Sequence, residues 1–102
     1  MRLIRKLSDH IEEEIRDARC YAKWALELKE SNRSLADTMF SLSQDEMRHM
    51  QMLHDEVTKI VEEYRRNKGE PPEEMQAVYD YLHQKHIDEA KDVRILQGMY
   101  RE

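Results

Sequence analysis

Apolar residues recur along most of this chain at alternating intervals of three and four positions. Such spacing places side chains on one face of an α-helix. The pattern predicts three long helices, over about residues 8–30, 34–68 and 72–101, with Leu3 as an alternative start for the first helix. No stretch shows the two-residue alternation of a strand, so the pattern predicts an all-α fold.

Two short polar segments separate the three predicted helices. Asn32 or Ser34 can cap the start of the second helix, because their side-chain oxygens accept bonds from its first free N–H groups. Gly69 is suited to the end of that helix, and the prolines that follow prevent its continuation. Short connections make neighbouring helices antiparallel, so residues 1–102 are predicted to form a single antiparallel helical bundle.

Each predicted helix has one line of apolar residues along its length, which we call its apolar seam, and ionisable residues interrupt each seam near its centre. They are Glu14 in the first helix, Glu46 and His49 in the second, and His86 and Glu89 in the third. Counting residues outward from the two turns brings these interruptions to about the same height in an antiparallel bundle. Within the run Glu12–Glu14, only Glu14 falls on the seam. The sequence therefore predicts that five ionisable side chains converge.

A charged carboxylate or imidazole that is buried without a partner destabilises the fold by about several kcal/mol, because it has lost its hydration. It avoids this cost only by becoming neutral. A divalent metal removes this cost by replacing protons as the counter-charge. The five convergent residues are therefore predicted metal ligands. A carboxylate-rich set with one imidazole for each metal suits iron or manganese better than structural zinc, although zinc is a further alternative.

Composition narrows the class of protein. The chain has 102 residues with only two Gly and two Pro, which is typical of one all-α domain. Its net charge of −5 gives no indication of nucleic-acid binding, and its apolar runs are too short to predict a membrane span. A single cysteine, Cys20, fits a reducing cytoplasm and excludes a four-cysteine metal site within the chain.

One set of spacings resembles a known family. Glu14, Tyr21 seven residues later, Ala22 and Ala25, and then Glu46-Met47-Arg48-His49 are similar to the first helix pair of the ferritin-like superfamily, in particular its rubrerythrin type. The resemblance covers about residues 10–57. It implies a di-iron site that reacts with dioxygen or peroxide, with ferroxidase-type or peroxide-reducing activity and an external electron donor. Glu14 would then be a terminal ligand, Glu46 a bridging carboxylate, His49 the imidazole ligand and Tyr21 a hydrogen-bond partner or redox neighbour.

This chain departs from that family in its third helix. Family members have four helices and a second Glu-x-x-His pair, whereas this chain has one further helix with the reverse order, His86-x-x-Glu89. Two arrangements can complete the ligand set. Either the third helix supplies Glu89 and His86, helped by Asp80, Glu13 or water, or two chains pair their first two helices about a two-fold axis, as the encapsulated ferritins do. Both lead us to expect a homodimer or a higher homo-oligomer.

The alternative hypothesis is that the protein binds no metal. Charged residues on a helical seam can set the register of an oligomer without binding a metal ion. The chain would then be a helical scaffold or interaction protein, not an oxidoreductase.

Overall fold

The amphipathic pattern folds into three α-helices. In the computed structural model, which describes residues 2–102, α1 spans Arg2–Leu28, α2 spans Arg33–Lys68 and α3 spans Glu73–Arg101. The described residues contain no strand, so the predicted all-α fold is confirmed. The bundle measures 55 × 19 × 17 Å. Its long dimension matches the length of α2, because 36 residues rise about 1.5 Å each, so the helices lie side by side.

The first helix begins at Arg2, six residues before the predicted start at Ser8 and beside the alternative start at Leu3. The extra turns form because the apolar seam continues toward the N-terminus. Ile4 is buried in the same core cluster as Val61, and removing an isoleucine side chain from water contributes roughly 2 kcal/mol. The side chain of Ser8 can cap a helix, which is why the sequence favours a start there, but the burial of Ile4 stabilises the helix beyond that point.

Both connections use the residues that the sequence singled out. Asn32 caps α2, since its Oδ1 accepts the N–H of Leu35 at 3.1 Å. At the other end of α2, Gly69 has a φ of 81° and its N–H donates to the carbonyl of Arg65 at 3.0 Å. Glycine adopts this left-handed conformation without the steric penalty of a Cβ. The chain therefore reverses direction between α1 and α2 and again between α2 and α3.

Helix α1 is the central element. It packs closely against both other helices, whereas the backbones of α2 and α3 rarely approach each other. Ala18, Ala22 and Ala25 are fully buried along α1, and their small side chains allow α2 to come close. Because α2 and α3 stand farther apart, long side chains have to bridge the space between them.

A network of buried hydrogen bonds fixes the positions of the helices along the bundle axis relative to one another. Ser43 on α2 donates to the backbone carbonyl of Ala18 on α1 at 2.6 Å, and Gln97 on α3 donates to Ser43 at 2.9 Å. Nearby, the rings of Tyr100 and Phe40 stack with centroids 4.7 Å apart. Since a sliding helix would leave these buried groups without partners, the network holds the ionisable residues of each seam at defined levels.

Candidate metal centre

Glu46 and His49 lie one helical turn apart on α2, at the edge of its buried face. The centre of that face is occupied by Ser43, Met50 and Val57, which recur every seven residues. Glu46 is offset from this line and its side chain is 20% exposed, whereas His49 lies farther round the helix and is 49% exposed. The sequence predicted that both face the core. The structure instead places them on a flank, because the buried line passes beside them.

Glu14 on α1 faces this pair across the α1–α2 contact. Its Oε2 lies 3.6 Å from His49 Nδ1, and Glu46 Oε1 lies 3.9 Å from the same nitrogen. One donor atom from each of the three residues falls within 4.8 Å of the other two, and this is the one such group of three among residues 2–102. We call Glu14, Glu46 and His49 the carboxylate cluster. The structure therefore brings three of the five predicted ligands together.

One oxygen of the carboxylate cluster lacks a partner. Oε2 of Glu14 is shielded from solvent and accepts no hydrogen bond, because His49 Nδ1 is too distant at 3.6 Å. A shielded carboxylate oxygen without a donor is costly. A cation held between the two carboxylates and the imidazole would satisfy this oxygen, and two carboxylates with one imidazole are a donor set typical of iron or manganese.

His86 and Glu89 lie elsewhere, on the contact between α1 and α3. Their neighbour on α1 is Glu12, whose Oε1 lies 3.9 Å from His86 Nε2 and accepts a hydrogen bond from Lys85 at 2.7 Å. Lys85 is also 3.9 Å from Glu89. The carboxylate cluster does not include either residue, because α3 packs on the opposite flank of α1 from Glu14.

Glu12 also differs from its predicted position. Because it lies off the apolar seam of α1, the sequence predicts a solvated side chain, but it is half-buried and forms the α1–α3 contact with Lys85. Two residues of α-helix turn through about 200°, so Glu12 and Glu14 face opposite flanks of one helix. The signal that would have found it is the pairing of a Glu and a Lys at matching heights on two neighbouring helices.

Tyr21 lies two turns beyond Glu14 on α1 and is half-buried. The seven-residue spacing keeps the two residues on the same flank of the helix. Its proposed part as a hydrogen-bond partner or redox neighbour of a metal stays a prediction.

Three further imidazoles meet between α2 and α3. His54 Nε2 and His83 Nδ1 are 2.8 Å apart in a hydrogen bond, and His86 joins them in lining one small cavity. We call these residues the histidine cluster. Burial, reinforced by the neighbouring His83, lowers the pKa of His54. Burial also lowers the pKa of His86, against the opposing effect of Glu12. Neither His54 nor His83 is among the ligands predicted from the sequence.

Comparison with known proteins identifies no relative. No protein-family model matches the chain, and neither does any curated protein or any solved structure. Among residues 2–102, no helix has an apolar stretch long enough to cross a bilayer.

Proposed function

We propose that this chain is a ferritin-like metal-binding protein whose carboxylate cluster holds a divalent metal, with iron as the preferred ion. The observation that carries this proposal is the meeting of three donor atoms within 4.8 Å, at a place where Glu14 also has a shielded carboxylate oxygen without a partner. Bound iron would supply the electrons for reduction of dioxygen or peroxide. The activity would then be of the ferroxidase or peroxide-reducing type.

The electrostatics of the carboxylate cluster support a cation. Glu14 and Glu46 carry like charges and converge on one half-exposed imidazole, which lies 3.6 and 3.9 Å from their oxygens. Like charges at close range repel, and a single distant imidazole compensates them poorly. A divalent ion would neutralise both carboxylates. In this proposal Glu14 and Glu46 bind through oxygen and His49 binds through nitrogen.

One chain supplies only three ligands, so we propose that a second copy completes the site. The carboxylate cluster lies on the flank of α1 opposite α3, and its imidazole is half-exposed. Trp24 on α1 and Leu35 on α2 expose 51% and 40% of their surfaces. Leu35 precedes Glu46 by three helical turns and so lies on the same flank. A two-fold axis here would cover this apolar surface and bring together four carboxylates and two imidazoles.

The test measures metal content and molecular size together. The purified chain is incubated with Fe(II) without oxygen and then exposed to air, and iron content, near-ultraviolet absorbance and oligomeric state are recorded. We expect about one iron for each chain, hence two for each dimer, and an oxo-iron absorbance that develops in air.

Two variants make the result specific to the carboxylate cluster. Glu46→Ala should abolish iron binding, whereas Glu27→Ala removes an exposed glutamate elsewhere on α1 and should retain it. The proposal is wrong if the natural chain binds no iron or if Glu46→Ala binds as well as the natural chain. An oligomer that persists without metal, and that Glu46→Leu strengthens, would instead support the metal-free scaffold.

A further inference from the structure

A cavity lies at the end of the bundle where α2 connects to α3. It has a volume of about 60 Å³, and its walls come from all three helices and from Pro71 in the connection. We call it the turn cavity. Ile4 and Val61 in its walls are only 5% and 6% exposed, so the turn cavity borders the buried core. Most of its helical lining is apolar or aromatic, namely Ile4, Ile60, Val61, Tyr64, Met75 and Tyr79.

The positions of the helices explain why this space is incompletely filled. The backbones of α2 and α3 rarely approach each other, and none of residues 69–72, which connect them, is buried. Protein interiors normally contain few voids larger than a water molecule. Atoms that face a void lose dispersion contacts, and a guest that filled the turn cavity would restore these contacts.

The polar groups near the turn cavity do not favour a polar guest. Gln76, which also lines it, already has partners, since its Oε1 accepts a hydrogen bond from α2 and its Nε2 donates one within α3, both at 2.8 Å. In the described part of the chain, only Glu14 and His86 have a shielded side-chain nitrogen or oxygen without a partner, and neither lines this cavity. The turn cavity thus has no orphaned polar atom for a guest to satisfy, which favours an apolar molecule.

The volume of the turn cavity limits the size of the guest. An engineered cavity of about 150 Å³ in another protein holds benzene, which has six carbon atoms. In proportion, the 60 Å³ of the turn cavity admits about two or three non-hydrogen atoms. Diatomic gases have this size and are apolar, and dioxygen is the one that the proposed iron centre would reduce.

We propose that the turn cavity binds dioxygen. Ile4 precedes Glu14 by ten residues on α1, or about 15 Å. The bound molecule would therefore lie apart from the carboxylate cluster and serve as a store of oxidant for it. This choice of guest rests on the proposed function, whereas the preference of the turn cavity for a small apolar molecule does not.

Nuclear relaxation tests the proposal in metal-free protein, because dioxygen is paramagnetic and speeds the relaxation of methyl groups that it touches. Methyl relaxation rates of the full chain are compared under dioxygen and under nitrogen at equal pressure. We expect dioxygen to increase the rates at Ile4 and Val61 by a larger factor than at Val93, which is fully buried and does not line the turn cavity. Equal increases at the three residues would overturn the proposal.

Two variants reduce the space available to the guest. Ile60→Phe puts a larger side chain at a half-buried position of the wall, and Val61→Ile adds one methylene group. In each variant the excess relaxation at Ile4 should fall. Ile95→Phe, at an exposed position of α3, is the matched control and should retain it. An excess that persists in both folded filling variants would show that dioxygen does not occupy the turn cavity.

Further comparisons separate this proposal from the iron site. Glu46→Ala should lose iron binding yet keep the excess relaxation at Ile4 and Val61. A natural chain that shows the excess but binds no iron would overturn the proposed function and support the turn cavity, whereas iron binding without the excess would do the reverse. If xenon shifts the resonances of Ile4 and Val61 while dioxygen leaves their relaxation unchanged, the guest is not dioxygen and the proposal is wrong.

Discussion

The carboxylate cluster and the histidine cluster differ in their exposure to solvent. In the first, His49 is 49% exposed and the two glutamates reach the surface. In the second, His86 is 3% exposed and lies among apolar side chains. Water stabilises charges in the open cluster, whereas burial in the closed cluster favours neutral imidazoles. Two sets of polar residues at similar helical spacing thus acquire different chemistry from their surroundings.

This contrast also separates what each cluster contributes to stability. An exposed imidazole can be removed with little change in packing, because water takes its place. A buried imidazole fills volume in the core, and its loss leaves a cavity. Without metal, the carboxylate cluster is therefore expected to leave the free energy of unfolding unchanged or to lower it. The histidine cluster is expected to stabilise the packing of α2 against α3.

The largest difference should appear between His86→Ala and His49→Ala in metal-free protein. Loss of the buried His86 side chain should lower the free energy of unfolding by about 2 kcal/mol, since a cavity costs more than the unpaired Nε2 returns. Loss of His49 should change it by less than about 0.5 kcal/mol. Urea unfolding in the presence of a chelator measures both. Equal effects of the two substitutions would contradict the contrast in burial.

A smaller effect of opposite sign is expected from Glu46→Leu in metal-free protein. It replaces a half-buried carboxylate that faces Glu14 with an apolar side chain of similar size, and should raise the free energy of unfolding by about 1 kcal/mol. Glu63→Leu, at an exposed position of α2, is the control and should change stability by less than about 0.5 kcal/mol. Destabilisation by Glu46→Leu would show that the carboxylate contributes to the fold without a metal.

The histidine cluster should make metal-free stability depend on pH. Because the pKa of His54 and of His86 lies below the ordinary value of 6.5 in the folded chain, the unfolded chain binds more protons just below that pH. Stability is therefore fully present above about pH 6.5 and falls as the pH drops toward the folded pKa values. The charges facing these groups are Glu12, Lys85 and Asp55, with His83 as the remaining imidazole.

The measurement compares urea unfolding between pH 7.5 and about 5.5, above the range where carboxylates titrate. His86→Leu should flatten the dependence, and His10→Ala should leave it unchanged. A natural chain whose stability does not fall with pH over this range would contradict the burial of the cluster. Lys85 does not contribute here, because Glu12 raises its pKa above 10.5 and its effect is lost only in strongly alkaline solution.

The smallest effect is expected at the α1–α3 ion pair. Lys85 donates to Glu12 at 2.7 Å, but its side chain is 41% exposed, so water and salt screen the attraction. Lys85→Met keeps the apolar stem and should cost less than about 1 kcal/mol. The cost should be smaller still in 1 M salt, where the Debye length is only about 3 Å. A loss that is large and independent of salt would show that packing of the lysine stem is what matters.

The helices of this chain follow from its sequence more directly than the candidate site does. The three- and four-residue spacing gave three helices because amphipathic periodicity is a local property, and Asn32 and Gly69 act at their ends as predicted. Of the two predicted starts of α1, Leu3 lies one residue from the observed start, and Ser8 is too late because Ile4 is buried in a cluster with residues of α2 more than fifty positions away. Local signals such as caps could not reveal that contact.

Residue spacing within one helix predicted which ligands share a face, but it did not predict which helix that face packs against. Glu46 and His49 share a flank because they are one turn apart on a helix, and Glu14 was matched to them through the short first turn. His86 and Glu89 share the same height but lie on the other side of α1, beside Glu12. A height can be counted along the chain, whereas the direction in which each seam faces depends on where the third helix packs.

The amino-acid sequence by itself determined the all-α class, the number of helices and the pairing of Glu46 with His49, because each follows from interactions within a few turns. Tertiary structure alone decided that His86 and Glu89 lie apart from Glu14 and that pair, that Glu12 faces α3, and that three histidines from two helices meet around one cavity. These outcomes depend on how three helices rotate against one another to bury their apolar seams. That rotation minimises exposed apolar surface over the whole bundle, and no single segment of the chain encodes it.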